Sequence, residues 1–206
     1  MLASLALATA CARGGSPGAA PQDPIAAIEL GQLPVGSLAG GSALLLPVGG
    51  ILFGDSLASL AARRADLLDR ATAVVDSVLA RDARQVVWHG PEAIRRALRR
   101  SPAVGADPTR LPTAFLLARR VEAVPDPLWS SLRALGAVTG ARWAVVPVAA
   151  RLEGREGAIN ASFVFALLDP RLGRVVWRGR VSGPAAATAE AALAAAAAAA
   201  VPGGIN

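Results

Sequence analysis

Residues 142–181 read RWAVVPVAARLEGREGAINASFVFALLDPRLGRVVWRGRV, and the fold turns on them. Trp143-Ala144-Val145-Val146-Pro147-Val148 is apolar at consecutive positions, the pattern of a central strand buried on both faces. Pro147 removes a ladder donor, so a bulge or a strand end is expected there. Ile159, Ala161, Phe163, Phe165 and Leu167 then alternate with Asn160 and Ser162. After Asp169-Pro170-Arg171-Leu172-Gly173, the residues Val175, Trp177 and Val181 alternate with Arg174, Arg178 and Arg180. Two alternating runs around a Pro/Gly turn predict a β-hairpin with one buried face and a ladder of arginines on the other. Glu153 and Glu156 flank Arg155 in what reads as an earlier hairpin loop.

Working outward, Ala43-Leu44-Leu45-Leu46-Pro47-Val48 is a buried strand closed by Gly49-Gly50. Residues 56–83 carry Leu57, Leu60, Leu67, Leu68, Ala71, Val75 and Val78 at helical spacing, with Asp55 or Ser56 available as the cap. Residues 85–89 form a second short strand. Pro91 opens a helix over 92–100 with Ile94 and Leu98 inward. Residues 101–112 are a Pro-rich loop, and residues 113–121 are read as helical. A further helix runs from Pro127 to Gly140, and an almost pure Ala helix from Pro184 to Val201. The expected fold class is α/β (α+β): a single mixed β-sheet of about five strands, parallel early and a meander late, with helices on one or both faces. The expected division is a signal-like segment 1–11, a flexible tether 12–42, one domain 43–202 and a tail 203–206.

Composition narrows the function. The chain of 206 residues is 53% hydrophobic and 17% charged, with a mean hydropathy of +0.46, which excludes disorder throughout. No uninterrupted apolar run reaches the roughly 18 residues of a membrane-spanning helix. One Cys and one His exclude a disulfide scaffold and most His- or Cys-based metal centres. All 21 basic residues are Arg, the net charge is +6, and about a quarter of the chain is Ala, the usage of a GC-rich genome. The basic balance is read as codon bias, and no nucleic-acid partner and no cofactor are expected. Without Lys there is no Walker phosphate loop.

The N-terminus points to a location. Leu2 to Ala10 is short, apolar and rich in small residues, and Ala8-Thr9-Ala10 precedes the lone Cys11. This resembles a bacterial lipobox, in which the Cys is lipidated. Residues 13–24 are mostly Gly, Ser, Pro, Ala and Gln, a linker composition. Ala12, not Asp, after the Cys implies by the same resemblance the periplasmic face of the outer membrane.

Phe53-Gly54-Asp55-Ser56-Leu57 matches the nucleophile block of GDSL esterases. A Ser nucleophile needs a base, and that family places a His near the C-terminus, three residues after an Asp. The only His here is His89, which reads as a strand-end residue. Ser56 is therefore an alternative, not the expectation. Arg95, Arg96, Arg99 and Arg100 share one helix face, and with Arg174, Arg178 and Arg180 form the candidate interaction surface for an acidic partner or anionic headgroups.

Two segments carry a family resemblance. Leu135-Gly136-Ala137-Val138-Thr139-Gly140-Ala141-Arg142-Trp143 running into Ala144–Val148, and Leu167-Leu168-Asp169-Pro170-Arg171-Leu172-Gly173-Arg174-Val175-Val176-Trp177, resemble segments of curli-secretion-type envelope lipoproteins. They are also similar to the activator lipoproteins of penicillin-binding proteins and to the N-terminal domain of the Tol translocation protein. Leu46-Pro47 fits the same scheme. The resemblance covers about residues 43–201 and implies an anticodon-binding-like α/β fold with no catalytic residues to carry over. It implies a non-enzymatic, lipid-anchored periplasmic binding or assembly module of the cell envelope that acts on a protein partner, with its oligomeric state left open. The alternatives are a GDSL-type hydrolase and an accessory subunit of a larger membrane complex.

Overall fold

The computed structural model describes residues 25–203. Cys11, the signal-like segment, the first part of the tether and residues 204–206 lie outside the described residues. Within them, six strands form one mixed sheet that carries four α-helices.

The strands β1 (Ser42–Leu45), β3 (Val87–His89) and β4 (Trp143–Arg155) pair in parallel, with β1 between the other two. From β4 the sheet continues antiparallel through β5 (Ala158–Asp169) to β6 (Arg174–Ser182). The expected early parallel pairing and late meander are both present. Pro147 sits where the β4–β5 register shifts, between Pro147 and Ala149, so a bulge lets the strand run on through the missing donor. The sixth strand was not expected. After Gly49-Gly50 the chain rejoins the sheet as β2 (Ile51–Phe53), parallel to the far half of β4.

The sheet is buried on both faces, which explains its near-continuous apolar runs. Ala43, Leu45, Val145, Phe163, Phe165 and Leu167 face α1 (Arg64–Asp82) and α4 (Ala189–Ala198). Leu44, Leu46, Ala144, Val146, Val164 and Leu168 face α2 (Pro91–Arg100) and α3 (Leu128–Thr139). Helix α3 ends on Gly140 at φ 76°, a left-handed cap that suits glycine.

Five expectations are corrected. The helix read over 56–83 is a 3-10 segment, Asp55–Arg63, followed by α1; its only buried residue is Leu57, at a non-helical φ of −116°. Its cap is Gly54, with no side-chain bond from Asp55 or Ser56. Within 113–121 only Ala114–Leu117 is helical, as a 3-10 turn. Helix α4 starts at Ala189 rather than after Pro184, because Ala186 first exchanges two backbone bonds of 2.8 Å with Ile159. Thr188 then caps it, its hydroxyl accepting from Ala191 N at 3.2 Å. Finally, the packed chain begins by Ile25, not at Ala43. Ile25, Ile28, Leu33, Val35 and Leu38 are all buried. Their spacing follows neither a helix nor a strand, which is why the segment reads as linker.

Candidate functional site

Ser56 lies on the exposed 3-10 segment beyond β2. His89 is level with Leu44 of β1 and hence with Ala144 of β4, whereas Phe53 is level with Leu152. At roughly 3.3 Å per residue, about 25 Å of strand separates the two positions. A general base must reach within hydrogen-bond distance of the proton it takes, so His89 does not serve Ser56. His89 ends β3, half-buried, and that burial lowers its pKa. Asp76 of α1 faces the start of α2, and burial raises its pKa. Among the described residues no group of three His, Cys, Asp or Glu side chains is placed to hold a metal ion.

The two arginine clusters differ from their sequence reading. On α2, Arg95 donates to the Glu92 carboxylate at 2.9 Å and Arg99 at 3.5 Å, and these bonds hold Glu92 below the usual carboxylate pKa. Arg96 and Arg100 are exposed on the same helix. On β6 the ladder is not uniform. Arg174 is exposed. The Arg178 guanidinium donates to the carbonyl oxygens of Leu116 at 2.6 Å and Arg119 at 3.0 Å, and also to that of Ala118. Partial burial lowers its pKa. Arg178 therefore clamps the loop after the 3-10 turn rather than standing in solvent. The Arg180 Nε is buried without a hydrogen-bond partner among the described residues. The register of β6 shifts between the partners of Leu167 and Leu168, so Leu167 faces Trp177 and Leu168 faces Val175. Val176 is the extra residue. Trp177 and Val181 pack on the α1/α4 face and Val175 on the α2/α3 face, which corrects the expectation that all three share one side.

That bulge shapes the outer edge of β6. One end is covered by residues 122–124, where Val175 N donates to Glu122 O at 2.9 Å and Val124 N to Gly173 O at 2.8 Å. The other end is covered by residues 29–31, where Arg180 N donates to Glu29 O at 2.8 Å and Gly31 N to Arg180 O at 3.0 Å. Between them is a groove of about 570 Å³ bordered by Ile28, Arg119, Val121, Val176, Trp177 and Arg178, among others. Five large hydrophobic residues are exposed among those described, and three belong to this edge: Leu172 (64%), Val176 (53%) and Leu30 (69%). No periodicity signals this surface, because it is assembled from a turn, a bulge and a segment that reads as linker.

No protein-family model and no curated protein matches this chain. Solved structures with a similar arrangement include three from bacteria. The LpoB C-terminal domain from Escherichia coli is 14% identical, with 72% of this chain and 90% of that one covered and a TM-score of 0.37. Lipoprotein GNA1162 from Neisseria meningitidis is 13% identical, covering 70% and 80% respectively, with a TM-score of 0.33. The PelC dodecamer from Paraburkholderia phytofirmans is 12% identical, covering 84% and 89%, with a TM-score of 0.32.

Proposed function

We propose that this chain is a non-enzymatic binding and assembly module of the bacterial cell envelope, anchored through lipid on Cys11 at the periplasmic face of the outer membrane. The observation that carries the binding role is the β6 edge. Apolar side chains exposed along this edge, beside a groove bordered by Arg119 and Arg120, make a surface that a protein partner can desolvate and pair with. The lipobox-like residues before Cys11 and the Gly/Pro-rich stretch after it support the anchor. The two segments that resemble envelope lipoproteins supply the end of α3 with the first part of β4, and the turn between β5 and β6 with its flanking residues. Ser56 lacks a base, so the reading assigns it no chemistry.

The test uses the full chain in its native membrane. A palmitate analogue should label the wild type and not Cys11→Ser; equal labelling overturns the anchor. A photo-crosslinker at position 176 should give a discrete adduct that Leu172→Asp abolishes without moving the melting curve. A fluorophosphonate probe should leave Ser56 unmodified, and a stoichiometric adduct there would restore the hydrolase reading.

A further inference from the structure

A second depression lies away from the β6 groove, where the end of α3, the start of β4 and the β5–β6 turn meet. It measures about 500 Å³ and is lined by three arginines, Arg133, Arg142 and Arg171. Its remaining lining is Gly136, Ala137, Gly140, Ala141 and Pro170, so no carboxylate enters it and its floor is bare of long side chains. None of the three arginines forms an ion pair within 4.0 Å among the described residues, and the one carboxylate that acts on Arg133, Asp126, stands outside the lining. Three exposed guanidinium groups around one depression make its potential positive and favour an anion there.

The frame around these arginines is fixed. Arg133 lies over the Trp129 ring at 5.4 Å and Arg142 over the Trp143 ring at 5.0 Å. Stacking holds a guanidinium by its face and leaves the donor edges free. Trp129 is itself tied to the turn, its indole N–H donating to Pro170 O at 2.8 Å. Asp169 closes the same turn, accepting from Arg171 N at 2.9 Å and Leu172 N at 3.3 Å. The C-terminus of a helix by itself repels anions. Here two of the terminal carbonyl oxygens are met by hydroxyls, and Leu135 O accepts from the Thr139 hydroxyl at 2.7 Å. Gly140 O accepts from the Ser42 hydroxyl at 2.9 Å.

We propose that the depression between Arg133, Arg142 and Arg171 is a binding site for a phosphate-bearing anion, either a soluble phosphate ester or the headgroup of an anionic lipid. Planar forks with several donors suit the tetrahedral oxygens of phosphate, and three of them match a multiply charged group better than a single carboxylate. The site shares no lining residue with the β6 groove.

Inorganic pyrophosphate is the soluble probe, titrated calorimetrically into the full chain at 0.15 M NaCl. Binding should saturate at one site, and the triple variant Arg133→Gln, Arg142→Gln, Arg171→Gln should weaken it at least tenfold. A control with equal loss of charge, Arg96→Gln, Arg100→Gln and Arg155→Gln, should weaken it less than twofold. Vesicles of phosphatidylcholine and phosphatidylglycerol form the second arm, with Cys11→Ser in every chain so that no lipid anchor contributes to capture. If they capture the wild type and the control but not the site triple, the ligand is a headgroup; if pyrophosphate alone distinguishes the triples, it is a soluble phosphate. Absence of saturable binding in both arms overturns the proposal. So does an equal loss in the two triples, which would leave only the general field of a basic protein.

Discussion

The two faces of the sheet are closed by different means. On the first, α4 presents almost nothing but alanine, with Ala189, Ala192, Leu193, Ala196 and Ala197 buried. Short side chains bring its backbone against the strand end. A Cβ placed on Gly183 would lie 2.4 Å from Ala196 N and 2.5 Å from Ala195 C. On the second face, α3 packs through Leu128, Leu132 and Leu135, and much of the cover is irregular chain. There the loop ending at Arg119 is held by the Arg178 guanidinium on three carbonyl oxygens. One face depends on the absence of volume and the other on the presence of donors.

The contrast sets three expectations, in falling order of effect. Gly183→Ala should cost about 3 kcal/mol, the upper end of overpacking penalties, because its obstacle is main chain rather than a side chain that can turn away. Urea titration measures this; a neutral result would mean that α4 can step back and that the first face is not set by backbone approach. Arg178→Ala should cost about 2 kcal/mol, in the range for hydrogen bonds from a charged donor, while Arg174→Ala should stay within about 0.5 kcal/mol. Equal costs for the two would return the ladder to a uniform solvated face and erase the difference.

The smallest effect lies at the seam, where Asp76 of α1 meets Gly90 at the start of α2. A carboxyl whose pKa rises on folding favours the fold below its unfolded pKa of about 3.9 and loses that advantage as pH climbs through the folded value. Asp76→Asn should therefore raise the melting temperature by about 1–3 °C at pH 7 and leave it unchanged at pH 3. A gain that persists at pH 3 would point to packing at the seam instead of charge.

The meander was legible because β4, β5 and β6 are long and their patterns are strong. Even Pro147, an apparent objection, announced its own bulge. The missed elements lack such signals. Strand β2 has three residues between the Gly49-Gly50 pair and Gly54, the cap of a 3-10 segment. Alanine suits both the extended stretch up to Ala187 and the helix after Thr188, so poly-alanine did not mark where one becomes the other. The single extra residue at Val176 moved Val175 to the other face, as a one-residue slip must. Among the candidate sites, the isolation of Ser56 was readable from the shortage of histidine. The grouping of Arg133, Arg142 and Arg171 was not, because only the turn of one hairpin and the end of one helix bring them together.

The segment at residues 29–33 has a mechanical consequence. Leu30 runs parallel to β6 at Arg180, and the bonds from Arg180 N to Glu29 O, Gly31 N to Arg180 O and Leu33 N to Ala200 O follow one another along the chain. A pull on residues 29–31 along β6 loads the two bonds at Arg180 side by side, in shear, rather than opening them in turn like a zipper. That joint is fastened both to β6 and to the residues that follow α4.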